Sequence, residues 1–460
     1  MQSWWKMLLR VVGGMALCLV LCVVASCSSD SGNNNASTDG GSSLPDDDVT
    51  PTGFTDPDIL GCLERLPEVS KLSSMTDLPP LLKTYCDSKD VKTLDDWKHR
   101  RRPEILGLFE HYVYGVAPKA PTSMKVELAK ASEKALDGAA SRKIYRIQAD
   151  DGSPPIELLV YIPTAKKPAP VFLGLNFFGN HTVLNDKGIP INKGWIPARA
   201  EGVKDNKATE ESRGTYVERW SIAQNIKAGF AVATLYHGDL DVDQPDGKNW
   251  VHERFGANEA IRKKPESGGT ISAWAWGLSR AVDALLKDSD INGKQIWVMG
   301  HSRNGKAALL AAARDLRIAG VISNQSGSMG AAVNRGKQGE TIKTIQPFFP
   351  HWFNDVFAGF VEEPNLLPVD QHLFLALIAP RPLLVSTATG DEWADPPSAW
   401  RSVVAAQPAW ALYGKEQPKL GEYPKEGASI GKDIAFHRRP GIHSVIPSDW
   451  MLFASFASQY

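Results

Sequence analysis

The sequence predicts a single α/β domain of three layers, with a mostly parallel central sheet covered by helices on both faces. Three observations predict it. Apolar runs of strand length alternate along the chain with segments of helical periodicity, the order that builds parallel sheets. The runs are continuous rather than alternating, as strands buried on both faces require. No internal repeat divides the chain, and 460 residues suffice for one large domain.

Taken in order, Thr55 to Tyr114 reads as helical with proline breaks, an N-terminal extension packed on the rest of the domain. Glu157–Ile162, Pro170–Asn176 and Phe230–Tyr236 are strands. Apolar residues recur at helical spacing over Ile271–Lys287. Gln295–Met299 is a strand, and Gly305–Leu316 an Ala- and Leu-rich helix. Gly320–Ile322 and Pro382–Ser386 add further strands.

The first residues read as a targeting segment. Lys6 and Arg10 precede the apolar run Val11–Ala25, which has signal-peptide length and is short for a membrane span. The run ends in Val24-Ala25-Ser26-Cys27, which resembles a bacterial lipobox and implies cleavage before Cys27 and acylation of its thiol. An ordinary cleaved signal or a membrane anchor is the alternative. Ser28 to Gly53 is rich in Ser, Asn, Asp and Gly, cannot bury a core, and reads as a flexible tether. The expected division is a lipoprotein signal peptide over 1–26, a tether over 27–54 and one domain over 55–460. The expected location is the periplasm or cell surface, with the lipid as the sole membrane attachment. A flexible tether suits a monomer.

Composition narrows the function. Hydrophobic residues make up 43% and charged residues 22%, ordinary for a globular protein. A net charge of -1 advertises no basic surface for nucleic acid. Fourteen Trp residues hint weakly at sugar stacking, since most indoles fill cores. Cys62 and Cys86 lie outside the signal, without CxxC or His spacing, so no zinc signature arises. Export would permit a disulfide, but the sequence does not decide whether they pair. No motif asks for a metal or organic cofactor.

Gly300-His301-Ser302-Arg303-Asn304-Gly305-Lys306 joins a buried-type strand to a helix. An α/β-hydrolase bends sharply at such a junction to expose a nucleophilic serine, usually within G-x-S-x-G. Here the second glycine comes one residue late, at Gly305, with Asn304 in its place. A serine there could merely cap the helix, but the flanking strand and helix favour the nucleophile. Serine needs a base, and this fold orders its triad Ser, acid, His. After the strand Leu383–Ser386 the chain offers Asp391, Glu392 and Asp395. Asp391 fits the acid best, Glu392 is the reserve, and Asp395 caps the turn beside Pro396. Near the C-terminus His443 lies in a loop before a final helix, with His437 as competitor.

These residues resemble the glucuronoyl esterases, carbohydrate esterase family 15, whose serine lies in G-C/H-S-R-x-G-K; Gly300 to Lys306 matches throughout. Asn176–Thr182, Tyr236–Asp241, Ser272–Arg280, Pro350–Phe353, Leu367–His372, Leu377–Pro382 and Asp391–Pro396 resemble its bacterial branch. The resemblance implies hydrolysis of an ester between (4-O-methyl)glucuronic acid on xylan and a lignin alcohol. It makes Ser302 the nucleophile, His443 the base and Arg303 an oxyanion stabiliser. Lys306 and Glu340 would hold sugar hydroxyls, and Trp393 would pack on the sugar ring. Trp352, His181 and His237 read as structural or supporting. Some members carry the triad acid after the strand that follows the nucleophile's helix. Gln325 stands there, and an amide cannot supply that charge. Two rival readings remain: an esterase for another sugar ester, such as an acetyl ester, and a surface lipoprotein that binds glycans without cutting them.

Overall fold

Adjacent residues of the central strands face different hydrophobic cores. In the strand Ala169–Asn176, Val171 and Leu173 join one core and Phe172 the other. The same alternation places Val298 opposite to Trp297 and Met299, and Val385 opposite to Leu384. Side chains of a strand point to alternate faces, so apolar residues at every position need cover on both. One face is covered by helices Thr270–Leu285 and Arg303–Arg314, the other by helix Pro447–Ala457 with Trp450 and Phe453.

The computed structural model describes residues 55–117, 121, 123–149, 155–245, 267–415 and 421–460. The signal segment, the tether and Cys27 lie outside the described residues. The main sheet has ten strands: β1 (Met124–Ala135), β2 (Ala140–Ala149), β3 (Ile156–Pro163), β4 (Ala169–Asn176), β5 (Ala231–Tyr236), β6 (Ile291–His301), β7 (Gly320–Asn324), β8 (Leu383–Ala388), β9 (Ser429–Gly431) and β10 (Ile434–Arg439). Their spatial order is β1-β2-β3-β5-β4-β6-β7-β8-β10-β9. Pairings from β5 through β10 are parallel, while β1, β2, β3 and β5 pair antiparallel, as does β9 with β10. This is the mixed, mostly parallel sheet of an α/β-hydrolase.

Register decides where the chemistry sits. His301 pairs with Asn324, Asn324 with Ser386, and Ser386 with His437, forming one row across β6, β7, β8 and β10. The loops beyond this row carry Ser302, Gln325, Asp391 and His443. In open α/β sheets ligands bind beyond the carboxyl ends of the strands, which is this edge.

Strands β1, β2, β9 and β10 and much of the extension depart from the sequence expectation. β1 and β2 escape a search for apolar runs because β1 is an edge strand studded with Lys125, Glu127, Lys130, Glu133 and Lys134. β10 escapes it because its apolar start runs into His437, Arg438 and Arg439. The N-terminal extension is helical over Pro57–Leu63 and from Leu94 to Tyr114, with a single turn at Val69–Lys71 between. Most of the intervening stretch is irregular and is tied by a disulfide between Cys62 and Cys86.

The nucleophile's helix is secured at its far end. Arg381 donates to the carbonyls of Ala312, Asp315 and Ile318, and Arg102 to that of Ala313. The carbonyls of Ala312 and Ala313 lie in the last turn and lack intrahelical donors, and cations suit the negative pole of the helix. The stretch Leu377–Pro382 is thus structural.

Candidate active site

Ser302 occupies a conformation that few non-glycine residues adopt, with φ 57° and ψ -128°. Such backbone costs on the order of 1–3 kcal/mol and persists only where its surroundings enforce it. Here Ser302 N–H donates to Asn324 O, and Ser302 O accepts from Gly305 N–H, both at 2.9 Å. The turn leaves no room for side chains at two positions. A Cβ at Gly300 would lie 2.1 Å from Asn304 O, and one at Gly305 would lie 2.9 Å from Ser326 Cβ. The second glycine falls at 305 because that is where the helix meets the Ser326 loop. Asn304 fits in the usual glycine place by turning its amide inward: Nδ2 donates to Leu175 O at 2.9 Å and Oδ1 lies 3.1 Å from His237 Nδ1.

Asp391 and His443 meet, as the loops after β8 and β10 bring them together. His443 Nδ1 lies 2.6 Å from Asp391 Oδ2, while Asp391 Oδ1 accepts from Ala394 N–H at 3.3 Å. Asp391 is buried, whereas Glu392 is solvent-exposed. The ring of His443 lies 4.5 Å, centroid to centroid, from that of His301, the residue before Ser302. His437 stays within β10, its Nδ1 2.7 Å from Ser429 Oγ. Asp395 caps helix Pro396–Ala406 and accepts from the N–H groups of Gln338 and Gly339, fixing the loop that delivers Glu340.

Glu340, Lys306 and Trp393 form a second cluster. Glu340 Oε1 accepts from Trp393 Nε1 at 3.1 Å, and Glu340 Oε2 lies 3.8 Å from Lys306 Nζ. Lys306 is 3% exposed, so it is no solvated helix residue; its Nζ donates to Ser326 O at 2.5 Å. Burial pulls its pKa down to about 8 against the attraction of Glu340. Trp393 is 56% exposed, so it is no core residue either.

Arg303 is gripped from two directions. Its Nη1 donates to Asp243, and its guanidinium lies 4.6 Å from the Trp352 ring centroid and 5.2 Å from that of Phe349. Trp352 and Phe349 are themselves stacked at 3.8 Å. Asp243 also accepts from Trp352 Nε1 at 2.7 Å and faces His351 Nε2 at 3.0 Å. Sequence reasoning missed Asp243 and His351. Asp243 lies two residues beyond the family-like stretch Tyr236–Asp241, and reading that stretch onward would have found it. Trp352 is buried, as expected of a structural residue, though its indole also supports Arg303. His181 faces Ser212 Oγ at 2.8 Å, and His237 stacks on Trp274 at 4.5 Å; both are buried. Among the described residues, no group of three or more His, Cys, Asp or Glu side chains converges as a metal site.

A serine on a strand-to-helix elbow, with a carboxylate-held imidazole at the same sheet edge, is the arrangement of a serine hydrolase of the α/β-hydrolase fold. A family model described as glucuronyl esterase, fungi, matches residues 220–414. A protein named carbohydrate esterase MZ0003, from an unknown prokaryotic organism, is 40% identical over 378 residues, covering 81% of this chain and 87% of its own length. The 4-O-methyl-glucuronoyl methylesterase 1 of Phanerochaete chrysosporium is 36% identical over 202 residues, 41% of each chain. Among solved structures, a glucuronoyl esterase from Solibacter usitatus superposes with a TM-score of 0.76 at 36% identity, covering 85% of this chain and 99% of that one. A structure described as a promiscuous family 15 esterase from a marine bacterial metagenome gives a TM-score of 0.78 at 38% identity, covering 85% and 98%. This chain belongs to carbohydrate esterase family 15, the glucuronoyl esterases.

Proposed function

We propose that this chain hydrolyses esters of (4-O-methyl)glucuronic acid, such as those joining glucuronoxylan to lignin, with Ser302 as nucleophile, His443 as base and Asp391 as the acid behind it. The observation that carries this reading is the 2.6 Å contact of His443 Nδ1 with Asp391 Oδ2, beside a serine at positive φ on an elbow. With Nδ1 committed to the carboxylate, Nε2 is the nitrogen free to take the serine proton. Ser302 attacks the uronoyl carbonyl, and the alcohol leaves with a proton from His443. Water, deprotonated by the same imidazole, then releases the uronate. The oxyanion is met by the Arg303 guanidinium and by N–H groups at the helix start, which have no intrahelical acceptors. Losing one such donor costs about 3 kcal/mol in the barrier. Lys306 and Glu340 receive sugar hydroxyls, and the exposed face of Trp393 packs on the ring.

The test is cleavage of benzyl glucuronate by the mature chain, beside Ser302→Ala and an acetyl ester. Cleavage of the glucuronate, abolished in the variant, is the expected result; cleavage of the acetyl ester alone would sink the uronate assignment. That second reading has one observation behind it, the description of a 38% identical relative as promiscuous.

The same proposal makes the enzyme an exported lipoprotein, held at the membrane by Cys27 and a tether, and monomeric. The lipobox-like Val24-Ala25-Ser26-Cys27 supports it. Metabolic labelling with a fatty-acid probe should be lost in Cys27→Ala, and retained label would refute the anchor.

A further inference from the structure

The two cations beside Ser302 each face a carboxylate. Lys306 Nζ lies 3.8 Å from Glu340 Oε2. Arg303 Nη1 donates to Asp243, whose side chain is only 6% exposed. Asp243 is the more tightly built partner. Burial alone would raise its pKa, but the Arg303 charge and the hydrogen bonds from His351 and Trp352 hold it well below the usual carboxylate range. The ion pair with Arg303 thus favours its ionised form.

Ester hydrolysis changes the charge of what occupies the site. The uronate ester is neutral at its carboxyl carbon, whereas the product carries a full negative charge there. A guanidinium without a counter-ion would bind a carboxylate through charge-assisted hydrogen bonds, roughly twice as strong as neutral ones. It would favour the product over the next substrate. Asp243 offsets that attraction, while the rings of Trp352 and Phe349 pack against the same guanidinium. The ester carbonyl, with only a partial charge, loses little. The tetrahedral oxyanion, also a full charge, loses the same share of its attraction to Arg303 but keeps the hydrogen bonds of the elbow's backbone N–H groups, which no counter-ion offsets.

We propose that Asp243 is a specificity-determining residue, which neutralises Arg303 so that the site accepts the neutral uronate ester and releases the anionic uronate. This rests on the uronate reading of the site. The experiment measures inhibition of methyl glucuronate hydrolysis by glucuronate and by glucuronamide, its neutral isostere, in wild type, Asp243→Asn and Asp243→Glu. In wild type, glucuronate should bind no tighter than the amide. In Asp243→Asn, the inhibition constant for glucuronate should fall by about tenfold or more, while that for the amide changes by less than about threefold. Asp243→Glu should restore the wild-type ratio. Parallel shifts of both inhibitors, as from a merely structural defect, would overturn the proposal. So would glucuronate binding about tenfold tighter than the amide in wild type, a measurement that decides the matter even if Asp243→Asn fails to fold. Absence of wild-type turnover on methyl glucuronate would overturn the uronate reading and this proposal with it. Turnover with an unchanged ratio would overturn the role of Asp243 alone.

Discussion

Gln325 and Ser444 pair through both sides of one amide: Gln325 Oε1 accepts from Ser444 N–H and Gln325 Nε2 donates to Ser444 O, each at 2.9 Å. Gln325 is itself held at φ 52°, with its N–H on Ser386 O at 2.8 Å. The residue that stands where some relatives carry a triad carboxylate thus secures the backbone immediately after His443. A carboxylate could accept from Ser444 but not donate to it. The amide is therefore a fitted part of this site.

Gln325→Ala should lower kcat by about tenfold, the loss of one well-made positioning contact, with little change in KM. Steady-state kinetics with a melting curve will check this. An unchanged kcat would mean that Arg439 and Asn324, which donate to Ser444 O at 2.7 and 3.4 Å, hold the loop without it.

Asp391→Asn should reduce turnover by about 10⁴-fold, because an amide favours the wrong imidazole tautomer and cannot stabilise the imidazolium. Glu392→Gln should stay near wild type, since Glu392 is exposed and Asp391 makes the contact to His443. Comparable losses in both variants would show the acid to be misassigned.

Lys306 sets an alkaline limit. Burial lowers its pKa from 10.5 to about 8, with Glu340 opposing, so the folded chain loses this proton near pH 8 while the unfolded chain keeps it until about 10.5. Substrate affinity should weaken as pH rises through 8, seen as a climbing KM for methyl glucuronate. Stability moves the other way. Between the two values the folded state binds fewer protons, so this group's contribution to stability rises with pH. Lys306→Met should abolish the alkaline rise in KM.

His181 and His237 set an acid limit. Burial brings each down to about 4 from 6.5, so both are neutral when folded and would charge when unfolded. The stability this lends is complete above pH 6.5 and is lost as pH falls towards 4. Melting temperature should therefore fall steadily from pH 7 to pH 4, and a flat profile would argue against buried neutral imidazoles.

Replacing Cys62 and Cys86 by Ser should cost about 3 kcal/mol, from the freedom regained by the unfolded chain across a separation of 24 residues. Denaturant unfolding of the double variant measures it. The bridge lies in the N-terminal extension, so kcat should be largely retained.

Sequence alone determined the layered α/β class, because continuous apolar strands such as Leu383–Ser386 tolerate no solvent on either face. It also singled out Ser302, His443 and the adjacent carboxylates Asp391 and Glu392, because the fold fixes the order of nucleophile, acid and base along the chain. What it left open depends on neighbours distant in sequence. The choice of Asp391 over Glu392 turns on which carboxylate the loop after β8 directs towards β10. The disulfide depends on the helix Pro57–Leu63 meeting the irregular stretch that carries Cys86, and the polar edge strand β1 has no apolar signature to betray it. Asp243, Gln325 and Asn304 gain their roles only through partners 60, 119 and 67 residues away. Local sequence encodes backbone preference and hydrophobic period; partnership across such distances is decided by strand order and register, which tertiary packing alone sets.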